Sequence, residues 1–237
     1  MMEPLPKAIL FDLDDTILSL GSPKACWQRV CEGFADRLNG MKSDAMLAVI
    51  LEMSVWYWSD PERHRRGRLD LTLARREVVA GAFQKMGLED AALANEIADT
   101  FNVAREAGAC LFPDAIDTLD RIRKRGVLMA LITNGGSEIQ RGKIERFGLA
   151  PFFDLIQIEG ELGFGKPDER AYRHALAALG VRPEETWMVG DNLEWEVVAP
   201  QRLGISAVWH DWQGTGLPEG SPVRPDRIIG TLAELIL

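Results

Sequence analysis

The order of apolar and polar residues divides the 237-residue chain into two kinds of sequence. From about residue 20 to residue 108, apolar side chains recur every three or four positions, which is typical of amphipathic helices. Ser22 and Pro23 start the first helix, because serine caps a helix and proline fits its first position. Further helices are predicted over residues 43–57, 72–86 and 89–106. No strand pattern interrupts this stretch, so we expect a small bundle of helices.

After Gly108 the pattern changes to short apolar runs that alternate with helical segments. Each run is bounded by glycine or polar residues, and strands are predicted over residues 127–132, 155–158, 186–189, 205–209 and 227–229. Helices are predicted over residues 114–125, 137–147 and 168–179, with a further helix ending at Leu203 and another after the last strand. Repeated strand–helix units of this length indicate a parallel sheet with helices on both faces.

The first apolar run, Ala8 to Leu10, must join this sheet, because a single strand is not stable by itself. The helical stretch is then an insertion after the first strand. The predicted fold class is therefore α/β: a Rossmann-like, doubly wound parallel sheet formed by residues 1–19 and 109–237, with an inserted all-α domain over residues 20–108.

The first predicted strand is followed by two aspartates, Asp12 and Asp14, separated by Leu13. Side chains of an extended segment alternate between faces, so the two carboxylates point the same way if Leu13 is extended. Adjacent carboxylates repel each other, which suggests a hard cation such as Mg²⁺ between them. The pair also suits a nucleophile beside a general acid or base. Asp15 is expected to face away from the pair and to shape the turn.

Two further predicted strands also end in small or polar residues. Thr133 and Asn134 follow one of them, and Gly190 and Asp191 follow the other. The carboxyl ends of parallel strands meet at one edge of a sheet, and the loop that contains Lys166 could aim its ammonium there. Together these groups suit phosphoryl transfer, in which an aspartate attacks phosphorus while cations, a hydroxyl and backbone N–H groups bind the phosphoryl oxygens.

Net charge and the length of the apolar runs argue against two classes of partner, nucleic acids and membranes. A formal net charge of −9 argues against non-specific binding to nucleic acid, which requires a basic surface. The longest apolar runs, at residues 45–51 and 127–132, are too short to cross a membrane, and the first residues lack the pattern of a signal peptide. We therefore expect a cytoplasmic location with neither nucleic-acid nor membrane partners. The oligomeric state cannot be read from the sequence.

The cysteines and histidines give no sign of a structural metal site. The three cysteines include no C-x-x-C pair, so neither a disulfide framework nor a zinc site is expected. The three histidines are scattered, and each is expected to be a surface or hydrogen-bonded residue: His64, His174 and His210.

Four short segments resemble, in order, the motifs of the haloacid dehalogenase (HAD) superfamily. They are Asp12-x-Asp14-x-Thr16, Thr133-Asn134-Gly135, Lys166-Pro167, and Gly190-Asp191 with an acid five positions later. The resemblance runs from residue 8 to about residue 209, and each motif lies in the structural context that it requires. The sequence around the third and fourth motifs resembles the phosphatase members. The helical insertion resembles the family's C1 cap, which implies a cap domain over residues 20–108.

The resemblance implies a metal and two catalytic carboxylates. Asp12 is implied to be the nucleophile and a Mg²⁺ ligand. Asp14 is implied to be the general acid/base, with its backbone carbonyl on the metal. Asp191 is implied to be the third protein ligand to Mg²⁺.

The resemblance also implies a phosphate site. Thr133 and Asn134 would hold the transferring phosphoryl group, and Lys166 would pair with its charge and steady Asp12. The implied function is a Mg²⁺-dependent phosphatase that hydrolyses a small phosphorylated metabolite through an aspartyl-phosphate intermediate.

One position departs from the family pattern. The family usually has aspartate five positions after the equivalent of Asp191, and Glu196 stands there in this chain. Its longer side chain could bind a metal-bound water rather than the metal. Asn192 and Glu194 lie close by in sequence and could share that role.

The same fold and motifs leave other functions open. A 2-haloacid dehalogenase needs neither a metal nor Asp14, so the presence of Asp14 and Asp191 argues against it. A phosphomutase would keep the same residues and differ in how the cap excludes water. A non-catalytic binding module would be indicated by loss of the nucleophile, but Asp12 is present.

An aromatic and basic segment is the least usual part of the predicted cap. Trp56 and Trp58 precede a basic loop, Arg63 to Arg68. This segment could face the substrate, with rings that stack and arginines that bind a second anionic group. The favoured interpretation is aromatic cap core followed by a solvated loop, because charge runs are usually on the surface.

Overall fold

The computed structural model describes residues 5–38 and 40–236. It divides into two compact units. One unit contains the chain up to Ser19 and from Cys110 onward, and the other is Leu20–Ala109.

A six-stranded parallel sheet forms the centre of the first unit, as the alternating pattern predicted. The strands of the unit are β1 (Ala8–Phe11), β2 (Leu18–Ser19), β3 (Cys110–Leu111), β4 (Leu128–Thr133), β5 (Leu155–Ile158), β6 (Thr186–Gly190), β7 (Ser206–His210) and β8 (Arg227–Ile229). The order in the sheet is β5-β4-β1-β6-β7-β8, which places β1 between β4 and β6. Strands β2 and β3 form a separate antiparallel pair that is too short for its sequence to show a period.

The second unit is helical, and no strand occurs among its described residues. Its helices are α1 (Pro23–Gly33), α2 (Ser43–Ser59), α3 (Pro61–Leu69), α4 (Leu71–Met86) and α5 (Ala91–Gly108). Apolar side chains from α1, α2, α4 and α5 form its core, in which the rings of Trp27 and Phe101 stack with centroids 3.6 Å apart.

The prediction of a loop at Arg63 to Arg68 was wrong, because these residues belong to α3. Asp60 caps this helix by accepting a hydrogen bond from the backbone of Arg63 (2.8 Å), and proline occupies the first turn. The helix is polar on nearly all sides, so it has no apolar period to reveal it. The Arg63 guanidinium stacks on the ring of Trp56 at 3.9 Å.

Helices cover both faces of the sheet. They are α6 (Ala115–Lys124), α7 (Ser137–Arg146), α8 (Glu159–Leu162), α9 (Glu169–Leu179) and α10 (Ala199–Gln201). Ile9 and Phe11 of β1 belong to one hydrophobic cluster and Leu10 to another. Because successive side chains point to opposite faces, this strand is apolar at every position and buried on both sides, which is typical of a parallel sheet.

Two predicted helices take another form. The last turn, Leu232–Ile236, is a 3₁₀ helix. The segment expected to be one helix ending at Leu203 begins as a π-helix, Leu193–Val198, and continues as α10. Within the part of the chain that the structure describes, none of the helices has both the length and the apolar character of a membrane span.

Candidate active site

The candidate active site lies where three neighbouring strands of the sheet end. Phe11, the last residue of β1, pairs with Leu131 of β4 and Val189 of β6. The backbone N–H of Asp12 donates to the carbonyl of Val189 at 3.0 Å. Thr133 ends β4, and Asp191 follows the last residue of β6, so the sheet brings three predicted motifs to one edge.

The carboxylate of Asp12 is buried and held on both oxygens. Lys166 Nζ lies 2.6 Å from Oδ1, and the Thr16 hydroxyl donates to Oδ2 at 3.1 Å. Asp12 is 8% exposed, while Lys166 and Thr16 are fully buried. Burial raises the pKa of Asp12 although the Lys166 ammonium opposes the shift. These contacts fix the direction of a carboxylate that the sequence predicted to be a nucleophile.

Asn134 positions Lys166 rather than facing open space. Its side-chain amide donates to the carbonyl of Lys166 at 2.6 Å, and its Oδ1 accepts from the backbone N–H of Lys166 at 2.8 Å. Gly165 makes this contact possible, because a Cβ there would lie 2.4 Å from Asn134 Oδ1. Asn134, which was predicted to help hold phosphate, thus engages the lysine loop with its side-chain amide.

Asp14 is held by two residues that sequence reasoning missed. Lys143 Nζ lies 2.9 Å from Oδ1 and 2.8 Å from Oδ2 of Asp14. Gln140 Nε2 donates to Asp14 Oδ2 at 3.1 Å and to the carbonyl of Asn134 at 2.8 Å, and it also reaches the hydroxyl of Thr133. Both partners lie on α7, three residues apart, a spacing that places them on one helix face.

Glu196, the acidic residue of the fourth motif, is buried and pairs with Lys166 of the third motif. Its Oε1 forms an ion pair with Lys166 Nζ at 2.8 Å, and its Oε2 accepts from the backbone of Asn192 at 2.8 Å. Although burial opposes it, the carboxylates of Asp12 and Glu196 raise the pKa of Lys166. Gly190 leaves the room that Glu196 occupies, because a Cβ on Gly190 would lie 2.0 Å from Glu196 Cγ.

The π-helix that follows Asp191 determines where the side chains of Asn192 and Glu194 lie. Asn192 Oδ1 accepts from the backbone N–H groups of Glu194 (3.0 Å) and Trp195 (3.1 Å), so its side chain caps this helix. Glu194 is exposed and lies 3.5 Å from Arg202. The Trp209 indole donates to the carbonyl of Asp191 at 2.7 Å and fixes that turn from the next strand.

The site has more negative than positive charge. Burial and the nearby carboxylates of Asp12, Glu196 and Asp15 raise the pKa of Asp191 to about 8. Burial also raises the pKa of Glu196 to about 7, against the effect of Lys166. Asp15, with a left-handed backbone (φ 59°), shapes the turn as predicted, but its carboxylate adds to the charge of the site.

This charge fits a divalent cation, which would neutralise the crowded carboxylates. No three His, Cys, Asp or Glu side chains within the described ranges converge as a complete ligand set. A site that uses the carboxylates of Asp12 and Asp191 with the backbone carbonyl of Asp14 needs only two such side chains. The remaining ligands would then be water and substrate oxygens, as is common for Mg²⁺.

His210, predicted to be a surface or hydrogen-bonded residue, is not at the surface. It is 1% exposed, and the backbone of Gly230 and of Asp15 interacts with its ring. Its ring packs edge-on against Phe112, with centroids 5.0 Å apart. Burial lowers the pKa of His210 below its ordinary value.

The chain is similar to known enzymes over nearly its whole length. The family model of haloacid dehalogenase-like hydrolases matches residues 6–204. A phosphoserine phosphatase of Thermus thermophilus is 36% identical over 98% of both chains. A glyceraldehyde 3-phosphate phosphatase of Pyrococcus furiosus is 30% identical over 86% of this chain and 80% of its own.

A solved structure shares the fold. The HAD hydrolase YfnB from Bacillus subtilis, a crystal structure with bound magnesium, superposes with a TM-score of 0.73 and 23% identity over 98% of this chain and 97% of its own. The chain therefore belongs to the family of haloacid dehalogenase-like hydrolases, as one of its phosphatases.

Proposed function

We propose that the protein is a Mg²⁺-dependent phosphatase that hydrolyses a small phosphorylated metabolite through an aspartyl-phosphate on Asp12. The observation that carries this proposal is the Asp12 carboxylate, buried at a strand end and held by Lys166 at 2.6 Å and Thr16 at 3.1 Å. A carboxylate fixed in this way is suited to attack an electrophile held at the edge of the sheet.

The proposed reaction has two steps. In the first, a carboxylate oxygen of Asp12 forms a bond to phosphorus, the bond to the substrate oxygen breaks, and Asp14 gives that oxygen a proton. In the second, Asp14 takes a proton from water as the water oxygen bonds to phosphorus, which releases phosphate and restores Asp12. The Thr133 hydroxyl and the backbone N–H groups after β4 bind the phosphoryl oxygens, while Lys166 offsets their charge.

Magnesium would be held by Asp12, Asp191 and the backbone carbonyl of Asp14. When bound, it would supply positive charge next to the phosphoryl oxygens, in addition to the charge of Lys166. The pKa of Asp191 is raised to about 8 because burial and the carboxylates of Asp12, Glu196 and Asp15 outweigh the opposing charge of Lys166, and this excess of negative charge supports the assignment. Glu196 and Asn192, by contrast, are proposed to shape the site: Glu196 through Lys166, and Asn192 as a helix cap.

The helical unit is proposed to act as a cap domain that selects the substrate, and the unit with the parallel sheet as the catalytic domain. The relatives support a small phosphorylated substrate, since one is named for phosphoserine and another for glyceraldehyde 3-phosphate. Asp14 and Asp191 favour phosphoryl transfer over displacement of halide, which needs neither.

The central test replaces Asp12 with asparagine, which keeps the shape but removes the nucleophile. We expect Asp12→Asn to abolish hydrolysis of p-nitrophenyl phosphate while the thermal transition persists. Asp117→Asn is the matched control, because Asp117 is an exposed acid on α6, and it should retain wild-type turnover. Wild-type activity in Asp12→Asn would disprove the mechanism, and turnover that survives EDTA would disprove the metal requirement.

A further inference from the structure

We propose that Gln140 and Lys143 are positioning residues that hold Asp14 in the orientation needed for proton transfer. This inference rests on the proposed function, because it assigns Asp14 the proton-transfer role. Neither residue belongs to the four motifs, and both lie on the helix that follows the second one.

Lys143 fixes the carboxylate of Asp14 from one side. Its ammonium lies within 2.9 Å of both oxygens, so the contact is symmetric and opposes rotation of the carboxylate. Lys143 is 5% exposed, and the side chain of Asp14 is 28% exposed. The lysine is therefore the buried partner, and the open side of Asp14 is left for a substrate oxygen or a water.

Gln140 connects Asp14 to the phosphate side of the site. Its Nε2 donates to Asp14 Oδ2 at 3.1 Å and to the carbonyl of Asn134 at 2.8 Å, and it also reaches the Thr133 hydroxyl. One amide group thus links the proton-transfer residue with the strand end proposed to bind the phosphoryl group. This link fixes the position of the Asp14 carboxylate relative to the strand end, so that proton transfer and phosphoryl transfer can take place on the same bound substrate.

The packing of α7 argues against a purely structural role. Only three of its residues are buried, and two of them, Gln140 and Lys143, are polar, while the third is Ile144. A helix that served only to cover the sheet would bury apolar side chains on this face. Polar residues where packing favours apolar ones are expected at functional sites, and both of these contact Asp14.

The test uses p-nitrophenyl phosphate with Mg²⁺ and the variants Lys143→Met and Gln140→Met. Because p-nitrophenolate leaves with little help from an acid, formation of the aspartyl-phosphate should persist when Asp14 is poorly placed. Activation of water should slow, since it needs Asp14 as a base. We expect kcat to fall roughly 10- to 100-fold, part of the 10²–10⁴ ascribed to general acid–base catalysis. KM should fall with it, kcat/KM should stay close to wild type, and phosphorylated protein should accumulate in acid-quenched samples read by mass spectrometry.

This pattern separates positioning from damage to the fold. A smaller folded fraction would lower kcat and leave KM unchanged, without accumulation of phosphorylated protein, and that result would overturn the inference. Lys143→Arg keeps the charge and should restore most of the turnover. Arg141→Met is the matched control, because Arg141 is an exposed residue of the same helix that pairs with Glu161 at 2.7 Å, and it should behave as wild type.

Two further outcomes are decisive. If Lys143→Met and Gln140→Met both match Arg141→Met, Asp14 does not depend on α7 and the inference is wrong. If the wild-type protein neither releases p-nitrophenol nor becomes phosphorylated, the proposed function itself fails, and the inference fails with it.

Discussion

The ammonium of Lys166 lies 2.6 Å from the carboxylate of Asp12, although 154 positions separate the two residues in sequence. The same ammonium lies 2.8 Å from Glu196. One fully buried cation therefore holds the carboxylate that follows β1 and another from the π-helix after β6. This arrangement makes Lys166 a link between motifs, in addition to its proposed role as a partner for phosphate.

Replacing Lys166 with methionine should destabilise the protein strongly. The change leaves the buried carboxylates of Asp12 and Glu196 without their cation, and breaking a buried ion pair costs about 3–5 kcal/mol. Urea unfolding should show that loss in the free energy of unfolding. Lys124→Met removes an exposed pair with Asp120 and should cost less than about 1 kcal/mol; equal effects of the two changes would contradict the prediction.

Replacing Asp191 with asparagine should separate metal binding from folding. Burial, together with repulsion from neighbouring carboxylates, raises the pKa of Asp191 to about 8, so replacing its carboxylate should raise the melting temperature when EDTA is present. Wild-type protein should be stabilised by added Mg²⁺, by about 2.7 kcal/mol at a hundredfold excess over Kd. Asp191→Asn should lose most of that response in differential scanning fluorimetry. A variant that responds to Mg²⁺ as the wild type does would exclude Asp191 as a ligand.

Two glycine-to-alanine changes should have opposite effects. A Cβ at Gly190 would meet the buried side chain of Glu196 at 2.0 Å, so Gly190→Ala should destabilise by about 1–3 kcal/mol and lower kcat by displacing the partner of Lys166. Gly142 lies within α7 with no atom near its would-be Cβ, so Gly142→Ala should stabilise by about 0.5–1 kcal/mol. Chemical denaturation measures both; a neutral Gly190→Ala would show that Glu196 can move freely.

The sheet and the strand-end residues could be predicted because they follow from local patterns. The apolar run before Asp12 and the similar runs before Thr133 and Asp191 specify buried strands, and parallel strands must bring their ends to one edge. The periodic helices of the second unit were predictable for the same reason. Helix α3 was not, since its residues are mostly charged and its start depends on the cap made by Asp60.

The contacts inside the site depended on tertiary structure. Lys143 looks like an ordinary surface lysine in a helix of mixed polarity, and only the packing of α7 turns it toward Asp14. From the sequence, Asn134 is expected to be a turn residue or a phosphate ligand. In the structure its side-chain amide instead forms hydrogen bonds with the backbone of Lys166, 32 positions later in the chain. Such long-range hydrogen bonds leave no period in the sequence. The π-helix at Leu193–Val198 could not be predicted either, because the residue types in a π-helix do not differ recognisably from those in an α-helix.

Stability should decrease in mildly acidic solution because of His210. Burial lowers the pKa of this ring below 6.5, although the carboxylates of Asp114 and Glu234 and the nearby backbone of Asp15 and Gly230 oppose the shift. The unfolded chain therefore binds the proton first, so the stabilising effect is complete above pH 6.5 and is lost as the pH falls, by up to about 1.4 kcal/mol per pH unit. His210→Phe keeps a ring against Phe112 and should flatten the dependence on pH between 7 and 5, as measured by urea unfolding. Parallel curves for the two proteins would show that His210 is not the group that titrates.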